Sequence, residues 1–213
     1  MNTTTYKHSG LKRWGIVFIV LGIALLLAAG TFAAYNFFDE NRANESVAEV
    51  LPDIIEKQDR KVIERHPDEK PLYQVSNKIE MPTEEIDGYL YVGTVDIPAL
   101  DLSLPVLDSL TDALLKVAPC RYRGTAYRDD LIIAAHNYRS HFGNLKNLAI
   151  GETVIFTDMD GNKFTYEVKA IELIPPTGIY EMQSGGWALT LFTCTIGGGA
   201  RVTVRCDKVV TDQ

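Results

Sequence analysis

The chain has 213 residues, with 21 Lys and Arg against 28 Asp and Glu, for a formal net charge of -7. At 46% hydrophobic and 23% charged it has the composition of a folded protein, not a disordered or collagen-like one, and its acidic balance argues against a main role in gripping nucleic acid. The charge is uneven: residues 1–13 hold Lys7, Lys12 and Arg13 and no acid, which leaves 18 basic and 28 acidic groups for the rest.

The first predicted element follows that basic tip. From Trp14 to Phe38 there are 25 residues without a charge, more than the roughly 20 that a helix needs to cross the hydrocarbon core. Lys12 and Arg13 precede the stretch and Asp39 and Glu40 follow it. The positive-inside rule therefore predicts a cytoplasmic tip over 1–13, a single-pass anchor over 14–38, and export of everything beyond. Trp14 and Tyr35 suit the two interfacial aromatic belts. A cleaved signal peptide, with Ala28-Ala29-Gly30 or Phe32-Ala33-Ala34 as the processing site, is the alternative. Its apolar region would run to about 7–15 residues, shorter than this one, so an uncleaved anchor is favoured.

Residues 39–70 carry 10 acids and 6 bases. Val47, Val50, Leu51, Ile54 and Ile55 fall at helical spacing among them, which predicts an amphipathic helix over 45–65, begun or interrupted at Pro52. A solvated stalk holding the rest off the membrane is the simpler reading, and a helix packed on the following domain is the sharper one. The polar stretch from His66 to Thr83, with Pro67, Pro71 and Pro82, reads as linker, so 39–87 is taken as stalk and linker.

From Gly88 the pattern turns to period two. Leu100, Leu102, Leu104 and Val106 alternate with Asp101, Ser103 and Pro105, a half-buried strand whose proline argues for an edge or an end. Leu131–Ala135 is a continuous apolar run suited to a strand buried on both faces. Strands over 153–157 and 163–173 flank Asp158-Met159-Asp160-Gly161-Asn162, a turn written in turn residues. Strands over 189–195 and 201–210 flank Gly197-Gly198-Gly199. Helical signal is confined to short pieces near 111–117 and 144–148. Residues 88–213 thus read as an all-β domain of seven or eight strands, a closed barrel or a sandwich.

Three cysteines, Cys120, Cys194 and Cys206, leave at least one free thiol in an exported domain. Cys206 shares a strand face with Val202 and Val204 and reads as a core thiol. Cys120 has no assigned role. Cys194 ends a strand at the mouth of the glycine-rich turn, with Arg201 across the hairpin. A thiolate nucleophile needs a cationic neighbour and an acid–base partner, usually histidine. His136 also stands where a buried strand emerges into a loop, while His141 reads as a loop surface residue. One strand-end cysteine, one strand-end histidine and one arginine form the inventory of a cysteine acyltransferase.

These residues resemble the sortases, the membrane-anchored cysteine transpeptidases of Gram-positive bacterial surfaces. The resemblance rests on Thr190-Leu191-Phe192-Thr193-Cys194, on Arg201-Val202-Thr203-Val204, and on Ile133-Ala134-Ala135-His136-Asn137 followed by Phe142-Gly143-Asn144-Leu145. Upstream, Ile97-Pro98-Ala99-Leu100-Asp101-Leu102-Ser103-Leu104-Pro105-Val106 completes the set. It implies an all-β, closed eight-stranded barrel. It further implies Cys194 as the nucleophile on an LPxTG-like sorting signal, His136 as the acid and base, and Arg201 as the donor to the oxyanion. Arg205 competes for the arginine role, but spacing favours Arg201. The implied partners are secreted proteins with a C-terminal sorting signal and an amine from a cell-wall precursor or a pilin. No lid segment is evident ahead of the domain, the turn from Cys194 to Arg201 is short, the segment from Tyr180 to Leu189 is too short for the helical insertion that some members carry there, and Ala135 stands where many members have glycine. No cofactor is expected: a calcium site from acids such as Glu152, Asp158 and Asp160 has no support beyond residues that a turn also needs. The rivals are a membrane-tethered binding module without chemistry and a cysteine peptidase that releases its product to water.

Overall fold

The structure, a computed structural model, describes residues 9–66, 69–76 and 78–209. The first eight residues of the predicted cytoplasmic tip, and Val210 of the last predicted strand, lie outside them. The chain divides into two compact units, Met1–Asn41 and Arg42–Gln213. Helix α1 (Ser9–Glu64) supplies the described part of the first. It is, among the described residues, the one helix long and apolar enough to cross a membrane, and none of its most apolar window is buried.

The second unit begins with the last turns of α1. Of the two readings of this helix, the one packed on the following domain is what the structure contains. Ala43, Val47, Val50, Ile54 and Gln58 recur at intervals of three and four and are all buried, and Val47, Val50 and Ile54 belong to the main core. The Gln58 amide donates to the carbonyls of Thr157 and Asp158, both at 3.1 Å, and Arg65 donates to the carbonyl of Asp160 at 2.8 Å. The heavy charge of 39–70 lies on the remaining faces, around one narrow apolar stripe. Pro52 stays inside the helix because it sits on the exposed side, where the carbonyl left without its N–H donor can face water. A short helix α2 (Leu72–Val75) follows.

Nine strands come next: β1 (Glu84–Ile86), β2 (Tyr89–Ile97), β3 (Leu102–Leu107), β4 (Cys120–Arg123), β5 (Leu131–Ala135), β6 (Thr153–Asp158), β7 (Lys163–Ile174), β8 (Leu189–Cys194) and β9 (Arg201–Lys208). Eight of them close a ring in the order β2-β3-β4-β5-β8-β9-β7-β6, with β6 pairing back on β2. This is the expected eight-stranded closed barrel; β1 is an added hairpin arm on β2. Asp87 and Gly88 make its two-residue turn, both with positive φ, at 52° and 79°, the conformation that favours Asp-Gly. Closure demands close approach at Gly93, where a Cβ would stand 2.1 Å from the Thr157 carbonyl oxygen of β6. Pro105 sits in β3 opposite Thr94 of β2. The other side of β3 pairs only at Leu107, so the missing proline N–H falls on an open edge.

Two of the barrel strands, like the three-residue arm β1, carried no clear signal. β2 is buried on both faces from Tyr91 to Val95, so it shows no alternation to read. β4 is four residues long and bears two arginines. Of the short helices, α3 (Asp112–Leu115) is capped by the Thr111 side chain, which accepts from the Leu114 N–H at 3.1 Å. Helix α4 (Ile179–Gln183) lies between β7 and β8.

Candidate active site

β5 and β8 run side by side and parallel, with Ala135 against Thr193. His136 and Cys194, the next residue on each strand, therefore leave the sheet at the same edge. The Thr193 hydroxyl donates to the Ala135 carbonyl at 2.8 Å and fastens the two strand ends together. β9 returns antiparallel on the far side of β8 and sets Arg201 directly opposite Cys194, with Cβ atoms about 4.5–5.5 Å apart in such pairs. Strand order alone thus converges three side chains that lie 58 and 7 residues apart in sequence.

Parity decides which way they face. Leu131, Ile133, Leu189 and Leu191 fill the barrel core. Their alternates Ile132, Ala134 and Phe192 form a second, smaller apolar cluster with Ile174 and Met182. That cluster floors a groove of about 290 Å3 on the outside of the barrel, lined also by His136, Cys194 and Arg201. The β3–β4 connection contributes Leu110 and Leu115 to it, and the β7–β8 connection Ile179 and Met182. Tyr122 meets Phe192 edge-on, with ring centroids 5.5 Å apart.

Cys194 is exposed, whereas Cys120 and Cys206 are buried, and all three thiols are free. Burial pushes Cys120 and Cys206 each up to about 12, so both stay protonated at neutral pH. Cys206 sits in the core with the valines as its strand parity predicts. Cys120 lies in the core at the start of β4, its thiol donating to the Ala118 carbonyl at 3.4 Å.

The turn after Cys194 is closed by Thr195 and Ala200: the Thr195 N–H donates to the Ala200 carbonyl at 2.8 Å, and the Thr195 hydroxyl accepts from the Ala200 N–H at 3.0 Å. Arg201 is half-buried at the groove. Arg205, its competitor, points from the same strand face but is 2% exposed and is engaged elsewhere.

The loop after His136 is compact. The Phe142 N–H donates to the His136 carbonyl at 3.2 Å, and a Cβ on Gly143 would stand 2.5 Å from the Asn137 carbonyl oxygen. The Tyr138 ring lies 4.8 Å from that of His136 and 5.4 Å from that of His141. The structure corrects the reading of His141 as a surface residue: it is fully buried, and neither ring nitrogen has a hydrogen-bond partner among the described residues. Loop position in a sequence says little when the loop folds back under a strand end. Burial, with the nearby His136 adding repulsion, holds its imidazole down at about 4 against an ordinary 6.5.

That depression makes a stability prediction. Between about pH 6.5 and 4 the unfolded chain binds a proton at His141 and the folded chain does not, so stability falls as the pH falls through this window. The full effect is on the order of 3 kcal/mol. Urea unfolding of the wild type and His141→Gln should show the gap in stability narrowing to the mutant's advantage from pH 7 to pH 4.5. Parallel pH profiles would refute the assignment.

Among the described residues no group of three or more His, Cys, Asp or Glu side chains is placed to hold a metal ion. The Asp158 carboxylate of the β6–β7 turn is occupied locally. Asp158 accepts from the N–H groups of Asp160 and Asn162, from the Asn162 amide and from the Tyr127 hydroxyl, at 2.6–2.9 Å. Its burial raises its carboxyl above the ordinary range despite those bonds. Glu152 accepts from the Ala149 N–H at 2.8 Å.

Comparison with known proteins bears on this geometry. A family profile for the sortase domain matches residues 95–209. Sortase A of Bacillus anthracis is 23% identical over 189 residues, covering 84% of this chain and 87% of that protein. A crystal structure of sortase C from Streptococcus pneumoniae superposes with a TM-score of 0.57 at 18% identity, over 78% of this chain and 97% of that one. Sortase C of Clostridium perfringens gives 0.50 at 19% identity, over 85% and 99%. At such identities the superpositions speak for the fold.

Proposed function

The chain belongs to the sortase family, the cysteine transpeptidases, and from that premise we propose that it cleaves an LPxTG-like sorting signal and joins the acyl fragment to an amine at the cell surface. The observation that carries this reading is the meeting of Cys194, His136 and Arg201 at one edge of an apolar groove. The groove takes the peptide, with its scissile bond over Cys194. The Cys194 sulfur, its proton passed to His136, attacks the carbonyl carbon, and the Arg201 guanidinium donates to the oxygen as it gains charge. As the C–N bond breaks, His136 delivers a proton to the leaving amine and a thioester to Cys194 remains. The incoming amine then attacks the thioester carbonyl, His136 takes the proton, and the thiol is released.

The apolar stretch of α1, flanked by Lys12 and Arg13 before and Asp39 and Glu40 after, supports a single-pass anchor with the N-terminus in the cytoplasm and the barrel outside. Its substrates are then secreted proteins bearing a C-terminal sorting signal, and its acceptors amines of a cell-wall precursor or a pilin. Detergent-solubilised full chain, incubated with an LPxTG peptide and triglycine, should yield a ligated product by mass spectrometry. Hydrolysed peptide alone, with no ligation at high triglycine, would make it a peptidase. Silence across a library of sorting peptides would leave a binding module.

A further inference from the structure

Arg205 stands four residues beyond Arg201 on the same outward face of β9, about 13 Å along the strand. A charged residue on the outer face of a barrel should be solvated, yet Arg205 is 2% exposed. What covers it is the β7–β8 connection. Its Nη2 donates to the Glu181 carbonyl at 2.6 Å and its Nη1 to the Met182 carbonyl at 2.8 Å. Nη1 also meets the Thr190 hydroxyl at 3.1 Å, and Nε meets a carboxylate oxygen of Glu172 at 3.2 Å. The guanidinium thus ties β7, β8 and β9 to the last turn of α4.

Those carbonyls belong to a short helix whose other side-chain ties are few: the Gln183 amide donates to the Tyr122 hydroxyl at 3.2 Å and accepts from Arg123 of β4, and the Ser184 hydroxyl donates to the Glu181 carbonyl at 3.3 Å. α4 is five residues long and no side chain caps its N-terminus, and a helix of that length is far too short to be stable alone. Its last carbonyls have no intrahelical donors and need outside ones when covered. Met182 anchors the apolar side in the groove-floor cluster; Ile179 and Tyr180 are exposed. Ile179 and Met182 are also the side chains with which this segment walls the groove.

Building on the transpeptidase reading, we infer that Arg205 is a positioning residue that locks α4 in place and so sets the wall of the substrate groove. One strand face then serves the site twice, with Arg201 at the reacting end and Arg205 behind the wall. Arg205 touches neither peptide nor thiol, so its removal acts on how the sorting peptide is held. Glu172 balances the charge that α4 covers.

The test uses full-length wild type, Arg205→Met and Arg205→Lys, with an LPxTG peptide and triglycine. It records steady-state kinetics, alkylation of Cys194 by iodoacetamide, and hydrogen exchange of amides 178–184. Arg205→Met should raise KM about tenfold or more, the scale of losing hydrogen bonds to a charged donor. It should leave kcat within about threefold and alkylation within about twofold, with exchange faster in 178–184 and unchanged in the strands. Arg205→Lys keeps the charge but cannot reach both carbonyls as a fork, so it should fall between. Unchanged KM and unchanged exchange in 178–184 would overturn the proposal and leave Arg205 a residue of fold stability alone. A fall in kcat matched by slower alkylation would also overturn it, since Arg205 would then act on the thiol. If Arg205→Met does not fold, the same readings on Arg205→Lys decide. If the wild type turns over no peptide, the transpeptidase reading is what fails, and exchange in 178–184 still reports whether Arg205 holds the wall.

Discussion

Cys194→Ala is expected to lose all measurable ligation, at least about four orders of magnitude in kcat/KM, because no other group can form the acyl intermediate. The barrel should survive unchanged. Cys194 is exposed at the end of β8, so truncation removes little packing and opens no cavity. The other two thiols serve as internal controls, since burial raises both to about 12 and a protonated, covered thiol does not alkylate. Iodoacetamide at neutral pH should add one label to the native wild type and none to Cys194→Ala, and denaturation should make the remaining two reactive. Residual ligation by the mutant, or a native wild type labelled first at Cys120 or Cys206, would sink the nucleophile assignment. His136→Ala should match it in lost turnover while keeping a labelled Cys194, which separates loss of the proton carrier from loss of the thiol.

Much of this arrangement is legible in the sequence because it depends on strand ends and parity. A buried run ending at Ala135 and a strand ending at Cys194 place His136 and Cys194 at sheet edges; only the parallel pairing of β5 with β8, a long-range fact, makes it one edge. The cross-hairpin position of Arg201 follows from a short turn, and Cys206 in the core from alternation with Val202 and Val204. What stays hidden is burial supplied by other parts of the chain. The helical spacing of Val47, Val50 and Ile54 is legible, but the partners that bury that stripe stand on barrel strands far along the chain. His141 is covered by its own loop folding back, and Arg205 by α4. Thr193, read only as part of a motif, ties the two strand ends through the Ala135 carbonyl, a bond that period-two patterning does not show.

The two arginines of β9 give the sharpest separation of roles. In the proposed mechanism Arg201→Ala removes a donor aimed at charge that develops only as the carbonyl is attacked, so the loss should fall on kcat, by about 100- to 1,000-fold, with KM little changed. Arg201 stands opposite Cys194 and lines the groove, and its guanidinium makes no hydrogen bond or ion pair among the described residues, so the melting temperature should move little. Arg201→Lys keeps a cation near the oxyanion but loses the planar fork, and should recover part of kcat. Arg205→Met should do the reverse, raising KM with kcat nearly kept, because its bonds go to the Glu181 and Met182 carbonyls behind the wall. The comparison is decisive in one assay series on the same peptide. If Arg201→Ala raises KM alone, its guanidinium binds the resting peptide and contributes nothing specific to the transition state. The oxyanion would then depend on backbone N–H groups at the Cys194 turn.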